Sequence, residues 1–238
     1  MNSFETVIFE EREGIAWLTL NRPRVLNAVN LRMRDELWTV MEAVRDAPDI
    51  RVLVIRGAGD AFSSGADVSE FGTAPSVIEA RRARRERDLW QLMLDLDRPL
   101  IAAVHGYALG AGCEMSLCCD LRVAATDARF GLPEVKLGYI PSAGGTQLLP
   151  RTIGPGIAME MILSGDDIDA ATALRFGLVH RVVPRDRLHD EAEAWARELA
   201  GRPPEALRYA KEAVTRGLEM PLAEGLALER RVARLLSS

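Results

Sequence analysis

Short apolar runs alternate with helical periodicity along most of this chain, and that alternation constrains its fold more than any other feature. "TVIFEER" (6–12), "IAWLTLN" (15–21), "RVLVIRG" (51–57), "RPLIAAVHG" (98–106) and "LRVAAT" (121–126) are rich in branched and aromatic residues and read as strands. The first two meet around Gly14 as a hairpin. Leu37, Val40, Met41 and Val44 recur at helical spacing behind Asn30, a candidate N-cap, until "APD" ends the pattern. Strands and helices that alternate in this way predict an α/β fold. From about residue 187 the strand signal stops. Leu188, Ala192, Trp195, Ala196 and Leu199 mark one amphipathic helix, and two more are expected around 207–214 and 226–235. The expected organisation is a core domain over residues 1–186 and a helical C-terminal region over 187–238. With 238 residues, 48% of them hydrophobic, the chain is long enough to bury a substantial core.

Two stretches share a grammar of strand, small-residue loop, then helix. "AFSSGADVSEF" (61–71) places Ser63, Ser64, Gly65, Ala66 and Asp67 behind a strand, and "HGYALGAGCEMSLCCD" (105–120) places Gly106, Gly110, Ala111 and Gly112 at a helix start. Uncovered N–H groups at a helix start favour negative charge, so these loops suit an anion or a developing oxyanion. They also suit close packing of helix on strand. Neither GxxxxGK[ST] nor a strict GxGxxG is present, which lowers nucleotide binding of those kinds, and GxSxG, the elbow of many hydrolases, is absent.

Glu114 follows Ala111 by about one helical turn, so its side chain is expected near anything held by that helix's first N–H groups. Glu134 follows Pro133 in a loop flanked by Gly131 and Gly138, and the bare stretch "PSAGG" comes next. Either glutamate alone reads as a solvated charge; two beside glycine-rich apolar loops read as a candidate acid–base pair. Cys113, Cys118 and Cys119 fit no zinc spacing with His105, His180 and His189, so they are expected to be buried free thiols, with no metal site. The net charge of −5 argues against a nucleic-acid surface spread over the whole chain. "RRARRERD" (81–88) is a basic run, but Leu89, Leu92, Met93 and Leu96 continue it at helical spacing, so it is read as the solvated start of an amphipathic helix. The N-terminus lacks the basic-then-apolar order of a secretion signal, and no apolar run is long enough to span a membrane. A cytoplasmic protein without nucleic-acid or membrane partners is expected.

In order along the chain, "NRPRVLNA", "AFSSGADVSEF", "GYALGAGCEMSLCCDLRVA", "FGLPEVKLGYIPSAGGTQLLPR" and "SGDDIDAATALRFGLVHRVV" resemble the enoyl-CoA hydratase/isomerase (crotonase) family, and "ALGAGCE" with "PEVKLGYIPSAGGTQ" is similar to its hydratases. The resemblance implies a spiral of ββα units with a helical C-terminal region, assembled as a homotrimer or homohexamer. It implies that the backbone N–H groups of Ala66 and Ala111 form an oxyanion hole for the thioester carbonyl of an acyl-CoA. It places Glu114 and Glu134 at the two catalytic glutamates of the hydratases, Glu114 holding and activating water and Glu134 delivering a proton at Cα. CoA contacts map onto the main chain around Ser64, Asp67 and Val68, and Arg24 is implied to meet a CoA phosphate. CoA is part of the substrate, so no separate cofactor is implied. The alternatives are an enoyl-CoA delta-isomerase, over which the presence of Glu114 favours a hydratase, another acyl-CoA lyase of the family, and, from another class, a non-catalytic RNA-binding or scaffold protein of the same fold. Three departures stand out: Ala111 and Ser142 replace commoner glycines, and the chain ends at "LERRVARLLSS", short of the family's usual terminus, which implies a shortened tail for CoA closure and trimer contacts.

Overall fold

The computed structural model describes residues 4–70 and 87–236. Phe71 and most of the basic run, 81–86, lie outside the described residues. Strands β1 (Val7–Arg12) and β2 (Ile15–Leu20) form the expected antiparallel hairpin, with Val7 opposite Leu20 and Arg12 opposite Ile15. Asn30 caps helix α1 (Leu31–Asp46) by accepting a hydrogen bond from the Met33 N–H, and Leu37, Val40, Met41 and Val44 are buried on one face, as their spacing requires. β3 (Val52–Gly57) then pairs in parallel with β2. Asp88 caps α2 (Leu89–Asp95), which buries Leu89, Leu92 and Met93.

Beyond α2 the chain repeats one pattern. β4 (Leu100–Val104) is followed by β5 (Tyr107–Leu109) and α3 (Ala111–Leu117), and β6 (Leu121–Ala125) by β7 (Arg129–Gly131), a 3-10 turn (Pro133–Leu137) and α4 (Gly145–Ile153). β4 and β6 join a large sheet; β5 and β7 join a small one. After α5 (Pro155–Ser164) come β8 (Ile168–Asp169), α6 (Ala170–Arg175) and β9 (Arg181–Val183). The large sheet runs β1-β2-β3-β4-β6-β9 and is parallel from β2 onward; the small one runs β5-β7-β8. Each ββα unit thus advances the sheet in one direction, the spiral that the resemblance implies.

Parallel strands covered on both faces read as continuous apolar runs, and β4 is buried throughout. The two-residue period divides its side chains between two layers. Leu100, Ala102 and Val104 join Leu53, Ile55, Leu37 and Met41 in the larger core. Ile101 and Ala103 join Val52, Val54 and Val123 under α7 (Leu188–Ala200), whose Leu188, Ala192 and Ala196 are buried against them. The first C-terminal helix is therefore the cover of the sheet's second face. The last two, α8 (Pro204–Gly217) and α9 (Leu222–Leu235), pack on each other, and Lys211 of α8 is tied to the sheet through Asp120 at 2.7 Å and the Arg98 carbonyl at 2.9 Å. Among the described residues no helix is long and apolar enough to cross a membrane.

Candidate active site

The stretch 61–67 leaves β3 as extended backbone held on both sides. On one side Ser63 bridges Ala108 of β5: its N–H donates to the Tyr107 carbonyl at 2.8 Å, and the Leu109 N–H donates to the Ser63 carbonyl at 3.0 Å. On the other side Ala66 bridges Val29, whose N–H donates to the Gly65 carbonyl at 2.8 Å and whose carbonyl accepts the Asp67 N–H at 3.0 Å. In a trans peptide the C=O and the next N–H point in opposite directions. With the Gly65 carbonyl bound to Val29, the Ala66 N–H must turn away from that strand.

The second loop uses the same device. The Gly110 carbonyl accepts the Glu114 N–H at 2.9 Å, the first hydrogen bond of α3, so the Ala111 N–H points outward from the helix start. Among the described residues neither the Ala66 nor the Ala111 N–H has an acceptor. The two loops are in contact: a methyl group at Gly65, where φ is +105°, would lie 2.9 Å from the Leu109 carbonyl oxygen and 3.6 Å from the Ala111 nitrogen. Two unused donors on adjoining backbones are the arrangement that an oxyanion hole requires to stabilise charge developing on a carbonyl oxygen.

The small sheet sets the carboxylates beside these two donors. Leu109 of β5 pairs with Gly131 of β7, so the residues that follow each strand, Gly110-Ala111 and Leu132-Pro133-Glu134, emerge together. Glu134 lies in the 3-10 turn rather than an irregular loop, with Pro133 supplying the φ its start needs. Its Oε1 occupies the space a side chain on Gly110 would take, 2.9 Å from that Cβ position. Its Oε2 is buried and has no hydrogen-bond partner among the described residues. Burial first, and then the neighbouring Glu114 charge, push the Glu134 carboxyl up to about 7 against one backbone N–H that favours ionisation. A carboxyl with an unpaired oxygen that titrates near neutrality is suited to exchange protons.

Glu114 is only 2% exposed and is held differently. Its Oε1 accepts the Ala143 N–H at 2.8 Å and the Gly145 N–H at 2.9 Å, both from "PSAGG", and Oε2 makes no hydrogen bond among the described residues. Burial raises its pKa, and the two N–H groups oppose that rise. Gly145 permits the approach, because a methyl there would stand 2.9 Å from Oε1. The two glutamates thus have distinct environments, one oriented by backbone donors and one unpaired.

Of the implied CoA-binding positions, Arg24 is exposed on a 3-10 turn (Pro23–Val25) and has no ion pair among the described residues. The Ser64 N–H donates to the Leu26 carbonyl at 2.9 Å. Val68 is 61% exposed on the turn that follows the hole. Asp67 is committed: its carboxylate accepts from Arg22 at 2.9 Å and from Ser69 at 2.6 Å, and these hydrogen bonds lower its pKa. The structure brings Arg24, Ser64, Ala66, Asp67 and Val68 together on two paired segments, 22–29 and 63–70. It brings Ala111, Glu114 and Glu134 together at the second loop, and the two groups meet at Gly65 and Gly110.

Sequence reasoning gave no role to the side chains of Asn27, Ser63 and Arg22, whose partners are mostly carbonyls and carboxylates up to 45 residues away. Cys113, Cys118 and Cys119 are free and buried, and burial pushes the Cys113 and Cys119 thiols up to about 12. Among the described residues no group of three or more His, Cys, Asp or Glu is arranged to hold a metal ion.

Comparison with known proteins agrees with this geometry. The family model described as enoyl-CoA hydratase/isomerase matches residues 10–237. A protein named probable enoyl-CoA hydratase echA8 from Mycobacterium tuberculosis is 44% identical over 230 residues, which cover 97% of this chain and 89% of that one. A crotonyl-CoA hydratase from Syntrophomonas wolfei is 39% identical over 229 residues, covering 95% and 88%. A crystal structure of an enoyl-CoA hydratase subunit from Geobacillus kaustophilus superimposes with a TM-score of 0.93 at 39% identity, covering 98% of this chain and 90% of that one. With its ββα spiral, its two free N–H donors and the family match spanning nearly its whole length, this chain belongs to the enoyl-CoA hydratase/isomerase family.

Proposed function

We propose that this protein adds water across the double bond of a trans-2-enoyl-CoA thioester. The observation that carries the reading is the pair of carboxyls beside the two free N–H groups: Glu114, buried and oriented by Ala143 and Gly145, and Glu134, half-buried with a buried oxygen unpaired among the described residues. The thioester oxygen sits between the Ala66 and Ala111 N–H groups, where negative charge grows as C3 is attacked. Glu114 accepts a hydrogen bond from the attacking water and takes up its proton. The water oxygen bonds to C3, the C2=C3 π pair shifts toward the thioester, and the enolate oxygen rests in the hole. Glu134 then delivers its proton to C2, and transfer of a proton from Glu114 to Glu134 restores the starting state. Loss of the conjugated thioester absorbance across a panel of enoyl-CoA chain lengths tests the activity. No loss with any of them would refute it.

The same assignment predicts a pH dependence. Glu134 must carry its proton to act as the acid, and it does so below about 7. Above that value it ionises beside Glu114, so kcat/KM for hydration is expected to fall as pH rises through it. On the acid side kcat/KM falls as Glu114 takes up a proton and loses its ability to accept one. The pair titrates together, so the two limbs report apparent values of the dyad. A kcat/KM that stays flat over about two pH units on either side of neutrality would remove Glu134 from this role.

Assembly as a homotrimer or homohexamer belongs to the proposal. Leu218 is 80% exposed and Leu222 77% exposed at the junction of α8 and α9, and Val214 is exposed nearby. A second copy covering that apolar surface would remove it from water. Light scattering at micromolar concentration is expected to give three or six times the chain mass, and a monomer would refute it.

A further inference from the structure

The first oxyanion donor is only as good as the orientation of the Gly65–Ala66 peptide, and that peptide hangs between segments 22–29 and 58–67. One buried side chain joins them. Asn27 is 0% exposed; its Nδ2 donates to the Ala58 carbonyl at 2.8 Å and the Ala61 carbonyl at 2.7 Å, and its Oδ1 accepts the Arg22 N–H at 2.8 Å. Two carbonyls and one N–H as partners settle which end of the amide is which. Leu26 and Asn27 both have positive φ, +51° and +55°, a left-handed pair that non-glycine residues seldom adopt and that persists only when surroundings enforce it.

From Asn27 the connection runs directly to the hole. The Asn27 carbonyl accepts the Ser63 hydroxyl at 2.8 Å, and the same hydroxyl accepts the Gly65 N–H at 3.2 Å. The Gly65 carbonyl in turn is bound to Val29, two residues beyond Asn27. Both ends of Gly65 are therefore referred to the strand that Asn27 anchors, and a flip of the 65–66 peptide would break the Val29 bond. Ser63 also abuts the second loop: a methyl at Gly112 would stand 2.7 Å from the Ser63 Cβ, so no larger side chain fits there.

We propose that Asn27 is a positioning residue for catalysis, acting through the Ser63 hydroxyl to hold the Gly65–Ala66 peptide with its N–H turned into the oxyanion hole. The inference rests on the acyl-CoA reading above. Misplacement of a reacting or stabilising group by about 1 Å costs on the order of 10²-fold in rate. The implied CoA contacts lie on the same two segments, but they are several and independent of one peptide's orientation, so the loss is expected to fall on kcat far more than on KM.

Two variants separate positioning from mere packing. Asn27→Asp keeps the shape but can no longer donate to Ala58 and Ala61; Ser63→Ala removes only the link to Gly65. With crotonyl-CoA, kcat is expected to fall about 10²-fold in Asn27→Asp and about tenfold in Ser63→Ala, with KM within about threefold of the parent. Acetoacetyl-CoA supplies a readout without turnover, because its enolate bears negative charge on the thioester oxygen and absorbs where the keto form does not. The bound enolate fraction is expected to drop in both variants. Should Asn27→Asp not fold, Ser63→Ala decides alone. A folded Ser63→Ala protein with the parent's kcat and enolate fraction, or a loss confined to KM, overturns the proposal. If the parent ionises acetoacetyl-CoA but hydrates no enoyl-CoA, the hydratase reading fails while the enolate fraction still judges Asn27 and Ser63; a parent that does neither overturns both.

Discussion

Replacing either Glu114 or Glu134 by glutamine will lower the hydration kcat by about 10²–10⁴-fold, the usual contribution of a positioned acid or base. In the Glu114→Gln protein the amide oxygen can still accept the Ala143 and Gly145 N–H groups, so the fold of the "PSAGG" stretch should hold. What that variant loses is the capacity to take a proton from water. The Glu134→Gln change places an amide where an unpaired carboxyl oxygen stood, and no proton remains to deliver at C2. The CoA portion touches neither residue in this scheme, so KM should change far less than kcat. The two losses should not multiply in the double variant, because groups that handle one water act as a unit. A double-bond isomerase behaves differently, losing activity with Glu134→Gln and retaining much of it with Glu114→Gln. Full hydration by a folded Glu114→Gln protein would sink the two-carboxyl mechanism.

Gly110→Ala will cost about 10²–10³-fold in kcat, comparable to loss of an oxyanion-hole donor. Gly110 has φ +49° and ψ −123°, a conformation closed to residues with a Cβ, and it supplies the carbonyl of the peptide whose N–H is the Ala111 donor. An alanine there must rotate that peptide or strain it. Its methyl would also stand 2.9 Å from Glu134 Oε1 and 3.8 Å from the Gly65 Cα, so it presses on the acid and on the neighbouring loop together. Steady-state kinetics on the folded variant check this. An unchanged kcat would mean that the second donor does not act.

The hairpin, the Asn30-capped helix and the strands at 51–57, 98–106 and 121–126 were legible because each depends on local periodicity and local turn chemistry, and all of them form. The placement of Glu114 near Ala111 was legible for the same reason, since one helical turn separates them. The 3-10 turn around Glu134 was not, because so short an element leaves no period in the sequence. The C-terminal helices read as one region by composition, yet α7 covers the sheet while α8 and α9 pack on each other, a division made by the apolar face β2–β4 and β6 present.

Residue order alone determined the α/β alternation, the bare-backbone loops and the family, since these rest on side-chain type and on spacing within a few residues. Only the tertiary structure decided that Leu109 pairs with Gly131, which brings Ala111 and Glu134 together, and that Val29 holds the Gly65 carbonyl, which turns the Ala66 N–H outward. A backbone donor has no side chain to betray it. Its direction is set by whichever distant group binds the carbonyl of the same peptide, and strand pairing across tens of residues makes that choice.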